Sequence, residues 1–163
     1  MGKEMKARYS MKRLELYKDF PYTELKSHSS NAKLRIYILS YENNNEDWYE
    51  NFIYLNINGM TVKITDCAID AGELTTFFND LKLMQAGKVK EVESNFVEPT
   101  IDLAFSYLKK DNIFHVRGGI INGFRQYNSK AYIQFEFDVT VEELSVFVGG
   151  LEQLIVKYPP RAK

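Results

Sequence analysis

Cysteine, histidine and net charge are all scarce in this sequence, and each shortage excludes a class of chemistry. Cys67 is the only cysteine among 163 residues, so the chain can form no internal disulfide and assemble no thiolate metal site. His28 and His115 are the only histidines, and the usual metal-ligand spacings are absent around both, so neither a metal nor a cofactor is expected. Lys and Arg total 21 against 22 Asp and Glu, and a net charge of −1 supplies no general positive field for direct nucleic-acid binding. No apolar run approaches the roughly 18 to 20 residues needed to span a bilayer, and the segment from Met1 to Arg8 leads into no apolar signal core. A protein of the cytoplasm, away from membranes, is the expectation.

What is present suffices for a core. Hydrophobic residues make up 45% and charged residues 26%, the balance of a globular chain, and the length fits one domain over residues 1–163. Charge is spread unevenly along it. The first thirteen residues carry Lys3, Lys6, Arg8, Lys12 and Arg13 against Glu4, a net of +4, and residues 1–12 are expected to form a flexible basic terminus. From Tyr41 to Leu81, the residues Glu42, Glu46, Asp47, Glu50, Asp66, Asp70, Glu73 and Asp80 face only Lys63, a net of −7. The near-zero total conceals this polarity.

Alternation marks the strands. Asn58-Gly59 is a dipeptide that tolerates positive φ at both central positions of a type I′ turn. Between Phe52 and Thr65 it pairs Ile57 with Met60, Leu55 with Val62 and Ile53 with Ile64, which places these apolar side chains on one face. Leu34 to Tyr41 reads as a strand and Arg13 to Tyr17 as a weaker one, whereas Ser27 to Asn31 and Glu42 to Glu50 read as loops. In the second half Ile101, Leu103, Phe105 and Tyr107 alternate, the chain turns at Lys110-Asp111-Asn112, and a returning run extends from Ile113 to Ile121. Ile133, Phe135, Phe137 and Val139 share one face of a third run, from Ala131 to Val139.

Helical spacing takes over twice. Leu74, Phe77, Phe78, Leu81 and Met84 predict a helix over 71–85, opened by Asp70 and Glu73 in capping-box positions and closed by Gly87. Leu144, Phe147, Val148, Leu151, Leu154, Ile155 and Tyr158 predict a second, opened by Thr140 and Glu143 and stopped by Pro159-Pro160. Both contain Glu-Leu-x-x-Phe-x-x-x-Leu, at Glu73 and at Glu143. That pattern fits either a duplicated strand-strand-helix unit or two capped amphipathic helices obeying the same rules. In both cases the fold class is α+β, a largely antiparallel sheet with two amphipathic helices packed on one face.

Two groups of residues could carry function. With the apolar positions of the last three strands facing the helices, Asp102, Ser106, His115, Arg117, Gln134, Glu136 and Asp138 face the other way. His115 beside a carboxylate could act as a general base with Arg117 holding an anionic substrate, yet the same residues are what a solvent-facing sheet ordinarily carries. The other group is the loop from Tyr41 to Glu50. Glu42, Glu46, Asp47 and Glu50 supply charge for a basic partner and Trp48 an aromatic anchor; a solvated loop with Trp48 over the core edge is the plainer reading. Cys67, beside Asp66, lacks the positive neighbour that activates a thiol and reads as buried and inert. Gly118-Gly119 are followed by more strand rather than a helix, which favours a bulge or bend over a phosphate loop. Gly149-Gly150 lie inside the second helix, where each glycine costs about 1 kcal/mol relative to Ala, and close approach to the sheet or a neighbour would explain them.

Taken together, Asp47-Trp48 before a strand, the hairpin from Phe52 to Thr65, the Glu73 helix pattern, the strand pair from Ile101 to Ile121, and Ile133-Gln-Phe-Glu-Phe-Asp138 before the last helix resemble the WapI family of bacterial immunity proteins. The resemblance covers about Leu34 to Tyr158, and departs from the family pattern where Val139-Thr140 follow Asp138 in place of Gln-Thr. It implies a non-enzymatic protein that binds and neutralises a toxin domain of contact-dependent competition, in that family typically a tRNA-cleaving nuclease. An acidic inhibitor surface would suit a nuclease, whose RNA groove must be basic. The partner is then a protein rather than nucleic acid. A small-molecule enzyme or ligand-binding domain using His115, Arg117 and Glu136 is the alternative, and a subunit of some unrelated assembly a third.

Overall fold

The computed structural model describes residues 17, 19–123 and 128–161. The weak strand expected at Arg13 to Tyr17 and the basic terminus over 1–12 therefore lie outside the described residues, apart from Tyr17, which sits in a turn. Four strands come first: β1 (Tyr22–Lys26), β2 (Lys33–Tyr41), β3 (Trp48–Ile57) and β4 (Met60–Asp70), followed by α1 (Ala71–Gln85). The same order repeats as β5 (Glu91–Glu93), β6 (Ile101–Leu108), β7 (Ile113–Asn122), β8 (Ala131–Thr140) and α2 (Val141–Lys157). The α+β class and the antiparallel pairing match expectation. The strands divide, however, into two four-stranded sheets, β1-β2-β3-β4 and β5-β6-β7-β8, each a meander leading into a helix.

Local sequence explains most of the register. Asn58 and Gly59 take φ of 50° and 78°, and the turn pairs Ile57 with Met60, Leu55 with Val62 and Ile53 with Ile64. Asn112, at φ 51°, lies in the β6–β7 turn, which pairs Phe105 with Val116 and Tyr107 with Phe114. Trp48 to Glu50, expected in a loop, belong to β3. Register shifts between Ile38 and Ser40 and between Asn51 and Ile53 interrupt the alternation that would have marked the strand. Asn51 makes the second shift tolerable. Fully buried, it donates from Nδ2 to the Tyr37 carbonyl at 3.0 Å and accepts at Oδ1 from the Ile69 amide at 2.9 Å, supplying the ladder bonds that the shift removes.

Both helices occupy the expected ranges, with different caps. Thr140 and Glu143 form a reciprocal capping box on α2, whereas on α1 Asp70 accepts from the Gly72 and Glu73 amides and the Glu73 carboxylate accepts from the Val97 amide at 3.1 Å as well as interacting with the Asp70 backbone. Gly118 and Gly119 produce no bulge, since β7 pairs without a shift on both sides. The Phe135 ring lies across Gly118, where a Cβ would come within 2.2 Å of it, and the Tyr132 hydroxyl and Asp102 carboxylate cover Gly119. Space for side chains of neighbouring strands, rather than backbone bending, is what these glycines provide.

One contiguous core joins the two sheets and both helices, from Leu25, Ile36, Ile53 and Ile69 through Leu74 and Phe77 to Phe105, Val116, Phe147 and Leu151. Cys67 lies within it. Each large side chain buried this way contributes about 1.5–3 kcal/mol. The connection between halves is made by α2, which returns to pack along β1. Thr23 Oγ1 donates to the Phe147 carbonyl at 2.6 Å, and the His28 amide to the Asp138 carbonyl at 3.1 Å.

Gly150 permits this return: a Cβ there would lie 2.3 Å from Thr23 Oγ1 and 3.1 Å from Thr23 Cα. At Gly149 a Cβ would meet nothing within 4 Å. Urea denaturation should therefore separate two adjacent substitutions. Gly149→Ala is expected to stabilise the chain by about 0.5–1 kcal/mol through helix propensity, and Gly150→Ala to destabilise it by about 1–3 kcal/mol through overpacking.

Candidate partner-binding edge

The acidic run of the sequence follows the chain from the β2–β3 loop to α1. Glu42 and Glu46 stand on the β2–β3 loop, exposed, and Glu50 projects from the start of β3. This loop abuts the first turn of α1, because Trp48 pairs with Asp70 and the Asp47 carbonyl accepts from the Ala71 amide at 2.8 Å. Beyond it Asp70, Glu73 and Asp80 line a groove of about 320 Å³ with Glu93 and Asn95. The negative edge thus extends from the loop onto α1 and β5. Among the described residues no lysine or arginine lines the groove.

The loop is shaped from the far end of the chain. Asp47 is turned inward, with its carboxylate accepting from the Arg161 backbone amide at 3.1 Å and from Arg161 Nε at 3.2 Å. The same guanidinium donates to the Asn44 and Asn43 carbonyls at 3.1 and 3.0 Å and lies 3.9 Å over the Tyr41 ring. Tyr41 and Tyr49 donate their hydroxyls to the Pro159 and Tyr158 carbonyls, and Tyr158 donates to the Leu39 carbonyl at 3.3 Å. Desolvation raises the pKa of both the Tyr41 and Tyr49 hydroxyls, most strongly for buried Tyr49. Of the five residues proposed from sequence, Asp47 therefore serves the loop's internal structure. Glu46 and Glu50 are exposed and accept from their neighbours Asn43 and Ser40; Trp48 is half-buried at the strand start. Arg161 escaped sequence reasoning because its partners lie 114 to 118 residues away and no local pattern announces it.

The outward face of the second sheet brings the other candidates together. His115 is opposite Asp138 and Arg117 opposite Glu136. Both imidazole nitrogens face carboxylates, Nδ1 at 2.7 Å from Asp138 Oδ1 and Nε2 at 3.3 Å from Glu136 Oε2. The Asp138 contact is the shorter and more buried of the two, whereas Glu136 and the Nε2 side of the ring face solvent. Burial raises the pKa of Asp102, opposed by the Gly119 amide. Among the described residues no cluster of histidine, cysteine and carboxylates could hold a metal, and no helix is long and apolar enough to cross a membrane.

These features place exposed carboxylates on the β2–β3 loop and the start of β3, next to the first turn of α1. A family model described as the immunity protein WapI-like family matches residues 24–159, and the chain belongs to that family. No curated protein and no solved structure gives a significant match.

Glu73 gives the edge a pH signature. Desolvation, with the charges of Asp70 and Glu98, raises its pKa against the opposing backbone hydrogen bonds of Val97 and Asp70, and its Oε2 is buried. A raised carboxyl pKa means that the folded state holds its proton more tightly than the unfolded state. The associated stability is present below the ordinary carboxylate range and is lost as pH rises through the raised value. Glu73→Gln, which cannot ionise, is expected to gain stability relative to the parent at about pH 7 compared with about pH 4, read by urea denaturation at both. A relative stability independent of pH would contradict the assignment.

Proposed function

We propose that this chain is an immunity protein that binds and neutralises a cognate toxin domain, a nuclease of contact-dependent competition, by stoichiometric association in the cytoplasm and without catalysing a reaction. Membership of the immunity protein family over residues 24–159 carries the reading. The acidic edge supports a basic partner: a nuclease holds RNA with positive charge, and a surface carrying Glu42, Glu46, Glu50, Asp70 and Asp80 would be drawn to the same groove. Trp48 supplies an aromatic side chain beside those charges, and Asp47 contributes through the shape of the loop.

The test is to purify the toxin domain encoded beside this chain and measure its nuclease activity and its association with the chain. Inhibition should saturate at one equivalent. Glu46→Lys with Glu50→Lys should slow association by about tenfold or more and flatten its salt dependence, with thermal unfolding unchanged. Full inhibition with unaltered association kinetics in that variant would remove this edge from the interface. Failure of the unaltered chain to bind would remove the immunity reading itself.

A further inference from the structure

At the end of the second sheet where β6 turns into β7, a half-enclosed cavity of about 470 Å³ opens between the C-terminus of α1, the β6–β7 hairpin and the first turn of α2. Its floor is core, with Met84, Phe114 and Leu144 at most 4% exposed. Val89, Tyr107 and Val141 form its walls. Two hydrogen bonds brace the rim. Gln85 Nε2 donates to Ser145 Oγ at 3.1 Å, from α1 to α2, and the Tyr107 hydroxyl donates to Asn112 Oδ1 at 2.9 Å within the hairpin. Such a volume with mainly apolar walls and a few polar rim groups is the form of a small-ligand site.

Lys90 is the charged side chain in the lining of this cavity, and Lys88, Glu91, Asp111 and Glu142 are exposed neighbours of lining residues in the sequence. The Tyr107 amide donates to the Lys90 carbonyl at 2.8 Å, which holds the segment from Lys88 to Lys90 beside the end of β6, and Lys109 and Lys110 begin the turn that follows. All four lysines are exposed, and none forms an ion pair among the described residues. Apolar walls hold an apolar body, and the Lys90 ammonium can hold an anionic head through a charge-assisted hydrogen bond. A neutral or cationic head gains nothing from it.

We propose that this cavity binds a small amphipathic carboxylate, an aliphatic chain of medium length or an aromatic ring carrying one acid group. The site is separate from the acidic edge and does not depend on the immunity reading. Decanoate is the probe, titrated into the full chain and followed by two-dimensional NMR. Saturable shifts are expected at Val89, Tyr107, Phe114, Val141 and Leu144, with a Kd below about 1 mM. Lys88→Glu with Lys90→Glu should weaken binding by about tenfold with thermal unfolding unchanged, and decanol, which keeps the chain and lacks the charge, should bind the parent about tenfold more weakly. Shifts scattered over the surface, no saturation, or equal binding by the charge-reversed variant would overturn the proposal.

Discussion

Thr23 of the first strand and Gly150 of the last helix meet with no side chain on the helix between them, and the architecture depends on that approach. A four-stranded meander with one helix leaves much of its apolar face uncovered, and the chain contains two such units. By returning to β1, α2 closes both over a common core, and the Thr23 hydroxyl satisfies a helix carbonyl in the process. A glycine in mid-helix is otherwise a cost of about 1 kcal/mol. Here the contact between halves offsets it.

The same long-range economy shapes the acidic edge. Arg161, at the opposite end of the chain from the loop it organises, neutralises Asp47, caps two loop carbonyls and stacks on Tyr41. Glu46 is left projecting from a braced loop and Glu50 from the strand that follows it. Bracing matters for recognition because a loop ordered before association loses less entropy on binding. The acidic run from Tyr41 to Leu81 gives the molecule a polarity that its net charge of −1 conceals.

Much of this was legible in the sequence wherever a short-range rule governs. The Asn58-Gly59 turn set its hairpin register, helical spacing and caps set α1 and α2, and alternation placed His115, Arg117, Glu136 and Asp138 on one face. Legibility ended where contacts span the chain. Nothing near Asn51 announces a bulge whose missing bonds a side chain will supply, and alternation within strands cannot say that they divide into two sheets. The acidic bias was visible; that Asp47 would turn inward to a residue 114 positions away was not. The fate of Gly118 and Gly119 depended on which side chains of neighbouring strands would cross them.

The central claim is that the edge formed by the β2–β3 loop and the first turns of α1 meets the toxin domain. Hydrogen exchange of the chain, alone and saturated with the toxin domain, reads this directly, since amides sealed in an interface exchange more slowly. Slowed exchange concentrated in residues 42–50 and 70–80 is the expected result. Unchanged exchange there, with protection appearing instead on the outward face of β6 to β8 or at the lysine-rich end, would contradict it.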